Sequence, residues 1–408
     1  METPLSLQNL SRSARQLRVA VVTETYPPEV NGVAMTTGRI VEGLLGLGHR
    51  VQLVRPRQGV ADQAVNGRDF EEVLARGLPI PRYSHLKMGL PARHALQRMW
   101  TLRRPDLVQV VTEGPLGWSA VAAARKLSLP VVTEFHTNFH SYSRYYGMGW
   151  LKQPVEAYLR RFHNKGAVCL VPTAELAAHL TERGIRRVEV VARGVDTRLF
   201  SPVHRSSALR ASWGANDRTL VVTVVGRIAP EKNLALAVRA FEALRQNVPD
   251  ARMLFVGDGP ARGALQAAHP AFVFAGMRTG EDLAAHYASA DLFMFPSLTE
   301  TFGNVTTEAL ASGLPVIGFD YAAAAGRVRS GHNGWLAKPG DEAAFIEAVV
   351  RVGGDRSLLN GLAQHARPSV LDAEWSAIAR QLAGIMEGVV DAHEARVLPP
   401  PRLKRAGV

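Results

Sequence analysis

The sequence lacks the features that mark several classes of protein. One cysteine among 408 residues, Cys169, excludes a disulfide framework and a thiolate metal cluster. No apolar run approaches the roughly 20 residues that a membrane-spanning helix needs. The N-terminus carries Arg12, Arg15 and Arg18 but continues into a short apolar run without a small-residue cleavage site. We therefore expect no secretory signal and a cytoplasmic protein.

Signatures of several nucleotide-binding classes are also missing. The turn Gly257-Asp258-Gly259-Pro260 resembles a phosphate-binding turn, but Arg262 stands where a G-x-G-x-x-G motif needs its third glycine. The sequence has no Walker loop either, so dehydrogenases and P-loop enzymes are disfavoured. No Asp-x-Asp pair occurs, which argues against a nucleotide diphosphate held by a metal ion.

Acidic residues are scarce in one half of the chain. Overall, 48 Lys and Arg face 36 Asp and Glu, which gives a formal net charge of +12. Residues 1–200 hold 27 of these cations and 16 of the acids, an excess of 11, whereas the remaining residues have an excess of one. The surplus positive charge therefore belongs to the first half of the chain.

The densest basic cluster lies in residues 82–104, which contain no acid. Its cations are Arg82, Lys87, Arg93, Arg98, Arg103 and Arg104. The apolar residues that recur between them at helical spacing are Ala92, Ala95, Leu96, Met99 and Trp100. This pattern predicts a helix with one apolar and one basic face. The basic face fits a solvated outer surface, a surface for an anionic membrane, or a nucleic-acid surface.

Short β-branched runs alternate with amphipathic stretches along the chain. The first series of predicted strands covers residues 17–23, 51–55, 106–111, 131–135, 167–171 and 188–191. The second series covers residues 220–225, 252–256, 272–274, 292–295 and 316–319. Such alternation predicts parallel sheets with helices on both faces. The predicted fold class is therefore α/β, with two doubly wound parallel-sheet domains.

The alternation is interrupted at residues 193–216, which show little periodicity and indicate a linker. We predict domains over residues 1–200 and 201–372, then a terminal helix over 373–395 that crosses back to the first domain. A disordered basic tail is expected over residues 396–408. Two such domains would leave a cleft between the carboxyl ends of their strands, where open α/β sheets bind ligands.

A helix start follows one strand of the second half. The strand is predicted to end near Phe295, a polar loop with Gly303 follows, and Asn304 is the candidate N-cap of a helix that continues to Ala311. A helix N-terminus after a glycine turn offers free backbone amides to an anion. This segment therefore predicts a phosphate site.

Two acids eight residues apart, Glu300 and Glu308, flank this helix start. Carboxylates beside an anion site are poorly placed to bind phosphate but can accept hydrogen bonds from hydroxyl groups. They therefore suggest a phosphorylated ligand that carries sugar and ribose. The alternative is that both acids only complement the helix dipole.

Two cations, Arg227 and Lys232, follow another predicted strand, which ends before Gly226. At the carboxyl end of a strand, they could neutralise a diphosphate without a metal ion. The alternatives are a solvated loop and an ion pair between Lys232 and Glu231.

Two weaker motifs lie in the first half. Asn31-Gly32 follows the first strand and opens a helix, where Gly32 permits close backbone approach. His136 and His140 follow the fourth predicted strand, four residues apart. They lack the H-E-x-x-H arrangement of zinc sites, so we interpret His136 as a cleft residue and predict no metal site.

Taken in order, these motifs resemble the retaining family-4 glycosyltransferases, which have the GT-B fold of two Rossmann-like domains facing across a cleft. The ordered set consists of Asn31-Gly32, His136, Arg193-Gly194-Val195-Asp196, Gly226-Arg227 with Lys232, and Glu300 with Glu308. The resemblance covers the chain to about residue 390. The segment around Glu300 looks like the branch of GDP-mannose-dependent mannosyltransferases and sulfoquinovosyl- or glucosyl-diacylglycerol synthases.

The resemblance implies roles for the matching residues. In the family, the cations that match Arg227 and Lys232 bind the donor diphosphate, and the acid that matches Glu308 binds the nucleotide ribose. The residues that match Glu300 and His136 face the donor sugar. The chain departs from the family pattern at Arg193, where Asn is usual, and at Thr301, where Pro often follows the first Glu.

The resemblance also implies backbone contacts to the substrates. The donor loop includes Gly226, and Asn31 with Gly32 would face the phosphate or the acceptor. The amides expected to hold the sugar and phosphate are those of Gly303, Asn304, Val305 and Thr306.

The expected reaction is transfer of a hexosyl group, with retention, from a nucleotide diphosphate sugar to an acceptor hydroxyl, without a metal ion or other cofactor. The donor would bind the second domain, and the acceptor, a lipid or glycolipid, the first. Front-face attack is expected, with covalent catalysis by Glu300 as the rival step. An anionic membrane surface, the inner face of the cytoplasmic membrane, is the expected partner, and nucleic acid is not.

Three alternatives from other classes stay open at this point. A sugar-nucleotide 2-epimerase would share the architecture but need no acceptor. A binding protein without catalysis would keep the motifs. A nucleic-acid binder would explain the basic half but not Glu300 and Glu308.

Overall fold

The computed structural model describes residues 15–29, 31–80, 83–136, 152–300 and 302–397. These residues form two compact units. The first unit holds the described residues up to 134, residues 164–168 and the described residues from 379 onward. The second unit holds the described residues of 135–163 and of 169–378. The domain boundaries at residues 200 and 372 stay a prediction.

One parallel sheet is built from strands within residues 18–190. The strands of this part of the chain are β1 (Arg18–Val22), β2 (Arg50–Pro56), β3 (Phe70–Ala75), β4 (Gly77–Ile80), β5 (Tyr83–Gly89), β6 (Leu107–Val110), β7 (Val131–Glu134), β8 (Val168–Val171) and β9 (Val188–Val190). The sheet has the order β3-β2-β1-β6-β7-β8-β9, whereas β4 and β5 pair with each other as an antiparallel hairpin. The helices between these strands are α1 (Gly32–Gly46), α2 (Arg93–Leu102), α3 (Pro115–Lys126), α4 (Lys152–His163) and α5 (Ala174–Glu182).

A second parallel sheet is built from strands within residues 221–337. Its strands are β10 (Val221–Val225), β11 (Arg252–Val256), β12 (Val273–Gly276), β13 (Leu292–Phe295), β14 (Val316–Phe319) and β15 (Gly334–Ala337). They are arranged in the order β12-β11-β10-β13-β14-β15. The helices from residue 207 onward are α6 (Ser207–Ser212), α7 (Leu234–Arg245), α8 (Arg262–Ala268), α9 (Gly280–Ala288), α10 (Asn304–Ala311), α11 (Ala322–Arg327), α12 (Glu342–Gly354), α13 (Arg356–Ala366) and α14 (Trp375–Val397).

Helices cover both faces of this second sheet, so its central strands are apolar runs that are buried throughout. Every residue of β10, β13 and β14 is buried. On one face Phe241 of α7 meets Phe272 edge to face, with ring centroids 5.4 Å apart. On the other face Tyr287 of α9 packs on Phe293, at 5.9 Å. Each buried side chain of this size contributes about 1.5–3 kcal/mol from the hydrophobic effect.

The predicted fold class is confirmed, and each predicted strand is present with small shifts at its ends. Four strands were not predicted: β3, β4, β5 and β15. The expectation of parallel pairing alone is wrong for the hairpin of β4 and β5, which is joined by a short connection rather than a helix.

Strand β3 was not predicted because its acidic residues interrupt the apolar pattern expected of a buried strand. Glu72 is buried in this strand and accepts a hydrogen bond of 2.6 Å from Nε of Arg55 on β2. Asp62 holds the other end of the same guanidinium, at 2.6 Å from Nη1. A buried carboxylate is tolerated when it is paired in this way, and the pairing crosses strands, so local sequence does not predict it.

The prediction of a linker at residues 193–216 is wrong. This segment contains α6, and Phe200 and Trp213 are buried in the second unit. Arg210 is buried as well and donates hydrogen bonds to the backbone carbonyls of Ser289, Asn216 and Thr219. The lack of periodicity reflects a segment held by hydrogen bonds rather than by one amphipathic face.

The terminal helix α14 lies in the first unit from Ala379 onward. The Cβ of Ala379 occupies the space beside Gly43 of α1. Farther along, Glu394 pairs with Arg15, and His393 lies 2.9 Å from the carbonyl of Ser128. None of the helices in the described ranges is long and apolar enough to cross a membrane. Residues 396 and 397 of the predicted basic tail belong to α14, and its remainder, from residue 398 onward, lies outside the described residues.

Candidate active site

The loop after β10 is held in place by backbone hydrogen bonds to the next loop of the sheet. Gly226 donates to the carbonyl of Val256 (2.9 Å), and Ile228 donates to the carbonyl of Asp258 (2.9 Å). A short 3-10 turn, Pro230–Lys232, then leads through Asn233 into α7. The loop therefore presents Arg227 and Lys232 from a rigid support.

The glycines of the turn 257–259 serve this support. A Cβ on Gly257 would lie 2.0 Å from the carbonyl oxygen of Gly226, and a Cβ on Gly259 would lie 2.4 Å from that of Ile228. Any side chain at either position would displace the loop that carries Arg227 and Lys232. The turn that resembles a phosphate site in the sequence thus packs beneath Arg227 and holds its loop.

Lys232 and Glu300 form an ion pair at the carboxyl ends of two neighbouring strands. The Nζ atom of Lys232 donates to Oε1 of Glu300 and lies 5.7 Å from the ring centroid of Phe295. Ser297 donates to the same carboxylate oxygen at 2.7 Å. Because β10 and β13 pair in parallel, the two loops that follow them meet, and the backbone amide of Leu298 donates to the carbonyl of Glu231 (3.1 Å).

Arg227 is the more exposed of the two cations. Its side chain is 42% exposed and pairs with Glu231, whereas that of Lys232 is 21% exposed. The alternative of an ion pair between Lys232 and Glu231 is therefore wrong. Gly226, Arg227, Lys232 and Phe295 line one small pocket, so a ligand there would meet both cations.

The start of α10 differs from the prediction. Gly303 is the N-cap, with φ +89° and no side-chain cap, and Asn304 is the first helical residue. The correction follows from backbone conformation, because the turn needs a left-handed residue and glycine adopts it without strain. A Cβ at Gly303 would also lie 3.2 Å from the ring of Phe295.

Two buried polar atoms at this helix start have no hydrogen-bond partner among the described residues. They are Oδ1 of Asn304 and Oγ1 of Thr306. The uncapped backbone amides of the first turn lie beside them, where the helix dipole favours an anion. Val305 follows Asn304 and is partly buried. Unpartnered buried polar groups cost free energy, so this helix start fits a phosphate or sugar ligand that would pair them.

Glu308 lies one turn further along α10. It accepts a hydrogen bond of 2.9 Å from the hydroxyl of Tyr287 on α9. Burial raises the pKa of Glu308 to about 7, and the hydrogen bond from Tyr287 acts in the opposite direction. Its carboxyl group therefore changes protonation near neutral pH, and in its ionised form it can accept hydrogen bonds from ligand hydroxyls.

His136 follows β7 and contacts a residue that the sequence marks as a departure. Its Nδ1 lies 3.1 Å from Nη2 of Arg193. The guanidinium of Arg193 in turn lies 5.8 Å from the ring centroid of Phe302, next to Gly303. His140 lies outside the described residues. No group of three possible metal ligands occurs in the described parts of the chain, and the absence of a metal stays a prediction.

The side-chain amide of Asn31 is used in hydrogen bonds that cap helix α1. Its Oδ1 accepts from the amides of Val33 (3.1 Å) and Ala34 (2.8 Å), and its Nδ2 donates to Oγ1 of Thr25 (2.7 Å). Gly32, the first residue of α1, is exposed. The side chain of Asn31 is thus a structural cap, and what this turn offers a ligand is the backbone at Gly32.

The structure groups the predicted residues of the second unit and adds others. Gly226, Arg227, Lys232 and Glu300 meet at the ends of β10 and β13, and the start of α10 follows directly. Sequence reasoning missed Ser297, Tyr287 and Phe302. Ser297 stands three residues before Glu300, but Tyr287 comes from another helix and carries no local signal.

This arrangement of parallel-sheet units with a cationic loop, an uncapped helix start and flanking carboxylates is that of a GT-B glycosyltransferase. Residues 30–199 match the family described as "Glycosyltransferase Family 4", and residues 219–355 match "Glycosyl transferases group 1". Sucrose-phosphate synthase from Thermosynechococcus elongatus has the same fold, with a TM-score of 0.74 over 93% of this chain and 100% of that chain, at 19% identity.

Two relatives of known activity identify the family and the branch within it. The chain is 33% identical over 384 residues to the GDP-mannose-dependent alpha-mannosyltransferase of Mycobacterium tuberculosis, which covers 91% of this chain and 97% of the relative. It is 30% identical over 381 residues to the sulfoquinovosyl transferase SQD2 of Arabidopsis thaliana, covering 90% and 72%. The chain therefore belongs to glycosyltransferase family 4, and the branch predicted from the sequence is confirmed.

Proposed function

We propose that the protein transfers a hexosyl group from a nucleotide diphosphate sugar, GDP-mannose in the first instance, to a hydroxyl group of a membrane lipid or glycolipid. The GDP-mannose-dependent relative supports this choice of donor, and a relative named alpha-monoglucosyldiacylglycerol synthase, 23% identical over 404 residues, supports the choice of a lipid acceptor. The observation that carries the proposal is the ion pair of Lys232 and Glu300 beside the uncapped start of α10. We further propose retention of the anomeric configuration and independence of metal ions.

The diphosphate would bind between the cationic loop and the start of α10. An ammonium group has three donors, so Lys232 can keep its contact with Glu300 and also donate to a phosphate oxygen. Arg227 would add a second positive charge. The hydroxyl of Thr306 and the first amides of α10 would donate to the same anion, which would give the Thr306 hydroxyl, unpartnered in the described residues, an acceptor.

The sugar and ribose would be held by acceptors. Oδ1 of Asn304 and the second carboxylate oxygen of Glu300 can accept hydrogen bonds from hexosyl hydroxyls, and Glu308 from the ribose. Oε1 of Glu300 already receives donors from Lys232 and Ser297, which lowers its electron density. This supports a positioning role for Glu300 rather than covalent attack on C1.

In the proposed step, the bond between C1 and the diphosphate oxygen breaks, and its electron pair goes to the leaving phosphate. The acceptor oxygen forms its bond to C1 on the same face of the sugar. The proton of the acceptor hydroxyl passes to the leaving phosphate oxygen. Arg227, Lys232 and the amides of α10 stabilise the charge that develops there.

The test is a donor screen by nucleotide release. We expect GDP release from GDP-mannose that depends on added membrane lipid, gives an α-linked glycolipid by NMR, and persists in EDTA. UDP-glucose and UDP-galactose serve as matched donors. Conversion of the donor sugar without any acceptor would indicate the epimerase instead, and loss of activity in EDTA would contradict the metal-independent mechanism.

We also propose that the first unit binds an anionic membrane through the exposed face of α2. Leu96 and Trp100 are buried, whereas Arg93 and Arg98 are exposed and have no ion-pair partner in the described residues. Arg103 pairs with Glu71, so the free charge is concentrated on the first two turns.

The predicted change is loss of vesicle binding in the double variant Arg93→Glu, Arg98→Glu, measured by flotation with phosphatidylglycerol vesicles. A variant of equal charge change, Arg218→Glu with Arg329→Glu in the second unit, is the control and should bind as the parent does. Equal flotation of both variants would mean that the basic face of α2 is only solvated. Binding of duplex DNA or RNA at physiological salt would favour nucleic acid.

A further inference from the structure

The loop that carries Glu300 is held at two points by the start of helix α11. This loop leads from β13 to α10, and α11 follows the next strand, β14. The hydroxyl of Tyr321, the N-cap of α11, donates to the backbone carbonyl of Ser297 at 2.6 Å. The backbone amide of Ala323 donates to the carbonyl of Phe302 at 2.8 Å. Hydrogen bonds from α11 therefore hold the loop before and after Glu300.

Ser297 connects the Tyr321 contact to the carboxylate of Glu300. Ser297 is buried, and its hydroxyl donates to Oε1 of Glu300 at 2.7 Å. Lys232 donates to the same oxygen, and Lys232 lines the small pocket that Arg227 also lines. The residue whose carbonyl Tyr321 contacts is thus the residue whose hydroxyl holds Glu300 beside this pocket.

The backbone between the two donors of α11 has an unusual conformation. Ala322 has φ +53°, in the left-handed region that a residue with a Cβ rarely adopts. Such a conformation costs free energy and persists where surrounding contacts determine it, which is common at functional sites. Ala322 lies between Tyr321 and Ala323, so the cost falls on the turn that brings both donors to the loop of Glu300.

We propose that Tyr321 is a positioning residue of the transfer reaction, whose hydroxyl holds Ser297 and thereby keeps the carboxylate of Glu300 in place beside Lys232. The inference rests on the proposed function, in which Glu300 accepts hydrogen bonds from the hexosyl group. Phenylalanine at position 321 would keep the ring but could not donate to the carbonyl of Ser297. The loop would then move by a fraction of an ångström, and displacements of that size lower the rate of a positioned reaction.

Hydrogen exchange tests the contact without any activity measurement. The amide of Leu298, next to Ser297, donates to the carbonyl of Glu231 at 3.1 Å and reports on the position of the loop. In Tyr321→Phe, we expect exchange at this amide to become at least about fivefold faster, because the loop opens more often. Amides of the buried strand β11 should exchange as in the parent. Mass spectrometry of the peptide that contains Leu298 measures the change.

Kinetics test whether the contact matters for transfer. We expect Tyr321→Phe to lower kcat about tenfold or more at saturating donor and lipid, because Glu300 is displaced from the sugar. The donor KM should change less than about threefold, since the proposed diphosphate contacts stay in place. In a Ser297→Ala background, the same replacement should lower kcat less than about threefold, because Tyr321 acts through Ser297 and the two losses are not additive.

The control is Asn333→Ala, at the opposite end of the same helix. Asn333 is buried, and its Nδ2 donates to the carbonyl of Arg327, the last residue of α11, at 2.9 Å. This variant should melt at a lower temperature than the parent, with kcat within about twofold and exchange at Leu298 unchanged. An equal loss of kcat in Asn333→Ala and Tyr321→Phe would mean that only general stability matters and would overturn the proposal.

Two further results would also overturn it. One is unchanged exchange at Leu298 in Tyr321→Phe, and the other is a loss of kcat that is the same with and without the Ser297 hydroxyl. The proposed function fails separately, because it is refuted by a parent protein that transfers no sugar. A parent that transfers sugar, with Tyr321→Phe equally active, would refute the role of Tyr321 alone.

Discussion

Two helix starts of the first unit, those of α1 and α3, differ from the start of α10 in the second unit. In the first unit, α1 begins at a side-chain cap, because Oδ1 of Asn31 accepts from the amides of Val33 and Ala34 at 3.1 and 2.8 Å. The start of α3 is closed by a carboxylate, because the amide of Leu116 donates to Oε1 of Glu24 at 3.0 Å. Both starts are thus satisfied by the protein itself.

In the second unit, α10 begins at Gly303, which has no side chain to cap it. Oδ1 of Asn304 and Oγ1 of Thr306 lie beside it without partners in the described residues. Closed helix starts contribute to folding, and an open one is typical of a binding site, since its amides are left for an anion. The comparison teaches that the same strand, turn and helix pattern can close a helix start, as at α1 and α3, or leave it open, as at α10, where it fits the proposed binding site.

The largest effect on activity is expected when Lys232, the cation beside the open start of α10, is replaced. Lys232→Met should lower kcat about 100- to 1000-fold at saturating donor, because the charge that develops on the leaving diphosphate loses its nearest cation. Arg227→Met should cost less, since its side chain is more exposed. Initial rates of nucleotide release with lipid acceptor measure both variants.

The control for Lys232 is Arg239→Met on α7, an exposed cation paired with Glu342. It removes the same charge from the second unit and should leave kcat within about twofold, since exposed pairs contribute little. Near-full activity of Lys232→Met at saturating donor would refute the diphosphate assignment and with it the functional meaning of the open helix start.

Much of the fold, but less of the site, could be predicted from sequence. Buried parallel strands such as β10 are continuous β-branched runs, and their periodicity is local. Strand β3 was not predicted because its buried acid, Glu72, is compensated by Arg55 from another strand, and this pairing is not visible in the local sequence. The cap of α10 was assigned to Asn304 rather than Gly303 because Asn is the stronger statistical cap, whereas the required left-handed backbone is visible only in three dimensions.

Contacts between distant segments explain the remaining misses. Tyr287 reaches Glu308 from α9, and Arg193 reaches His136 across 57 positions of sequence. Arg193 was visible only as a departure from a pattern, without a reason for it. Spacing within a motif predicts neighbours along one element, but it does not predict which side chains the sheet order brings together.

The next expected effect concerns pH and Glu308. Because burial raises its pKa to about 7, its carboxylate is lost as the pH falls below neutral. Donor affinity, measured by calorimetry with GDP-mannose, should fall up to about tenfold between pH 8 and pH 6, since the ribose hydroxyls lose their acceptor. Tyr287→Phe removes a hydrogen bond that lowers this pKa, so the transition should move to higher pH.

The pH dependence of stability should be opposite to that of donor affinity, because protonated Glu308 favours the folded state. A carboxyl group whose pKa is raised on folding stabilises the protein most below its unfolded pKa, and this contribution is lost as the pH rises through about 7. Glu308→Gln should therefore unfold at a higher temperature than the parent at pH 8 and at a similar temperature at pH 5. Its donor affinity should be weak and independent of pH. A parent-like pH profile in this variant would assign the titration to another group.

A smaller effect is expected at the open start itself. Thr306→Val replaces a hydroxyl that has no partner in the described residues by a methyl group of similar shape. Donor affinity should fall about five- to tenfold, which corresponds to about 1 kcal/mol, the net value of one ordinary hydrogen bond, while the melting temperature stays the same or rises. Ser312→Ala, which removes another unpartnered buried hydroxyl at the far end of α10, is the matched control and should bind donor as the parent does.

The smallest effect on activity is expected at the closed start of α1. Asn31→Ala removes a cap that accepts from two backbone amides, so the free energy of unfolding should fall by about 1 kcal/mol. Urea denaturation measures this loss. Donor affinity and kcat should stay within about twofold, since the side chain is consumed by α1 and Thr25.

Asn31→Asp and Asn31→Ser supply the control, because both keep an oxygen that can accept from the first turn of α1. If Asn31 is only a cap, these variants restore stability, and all three share the activity of the parent. A loss of kcat in Asn31→Ala that Asn31→Ser does not restore would mean that the start of α1 also contacts a substrate. A closed helix start would then not be limited to a role in stability.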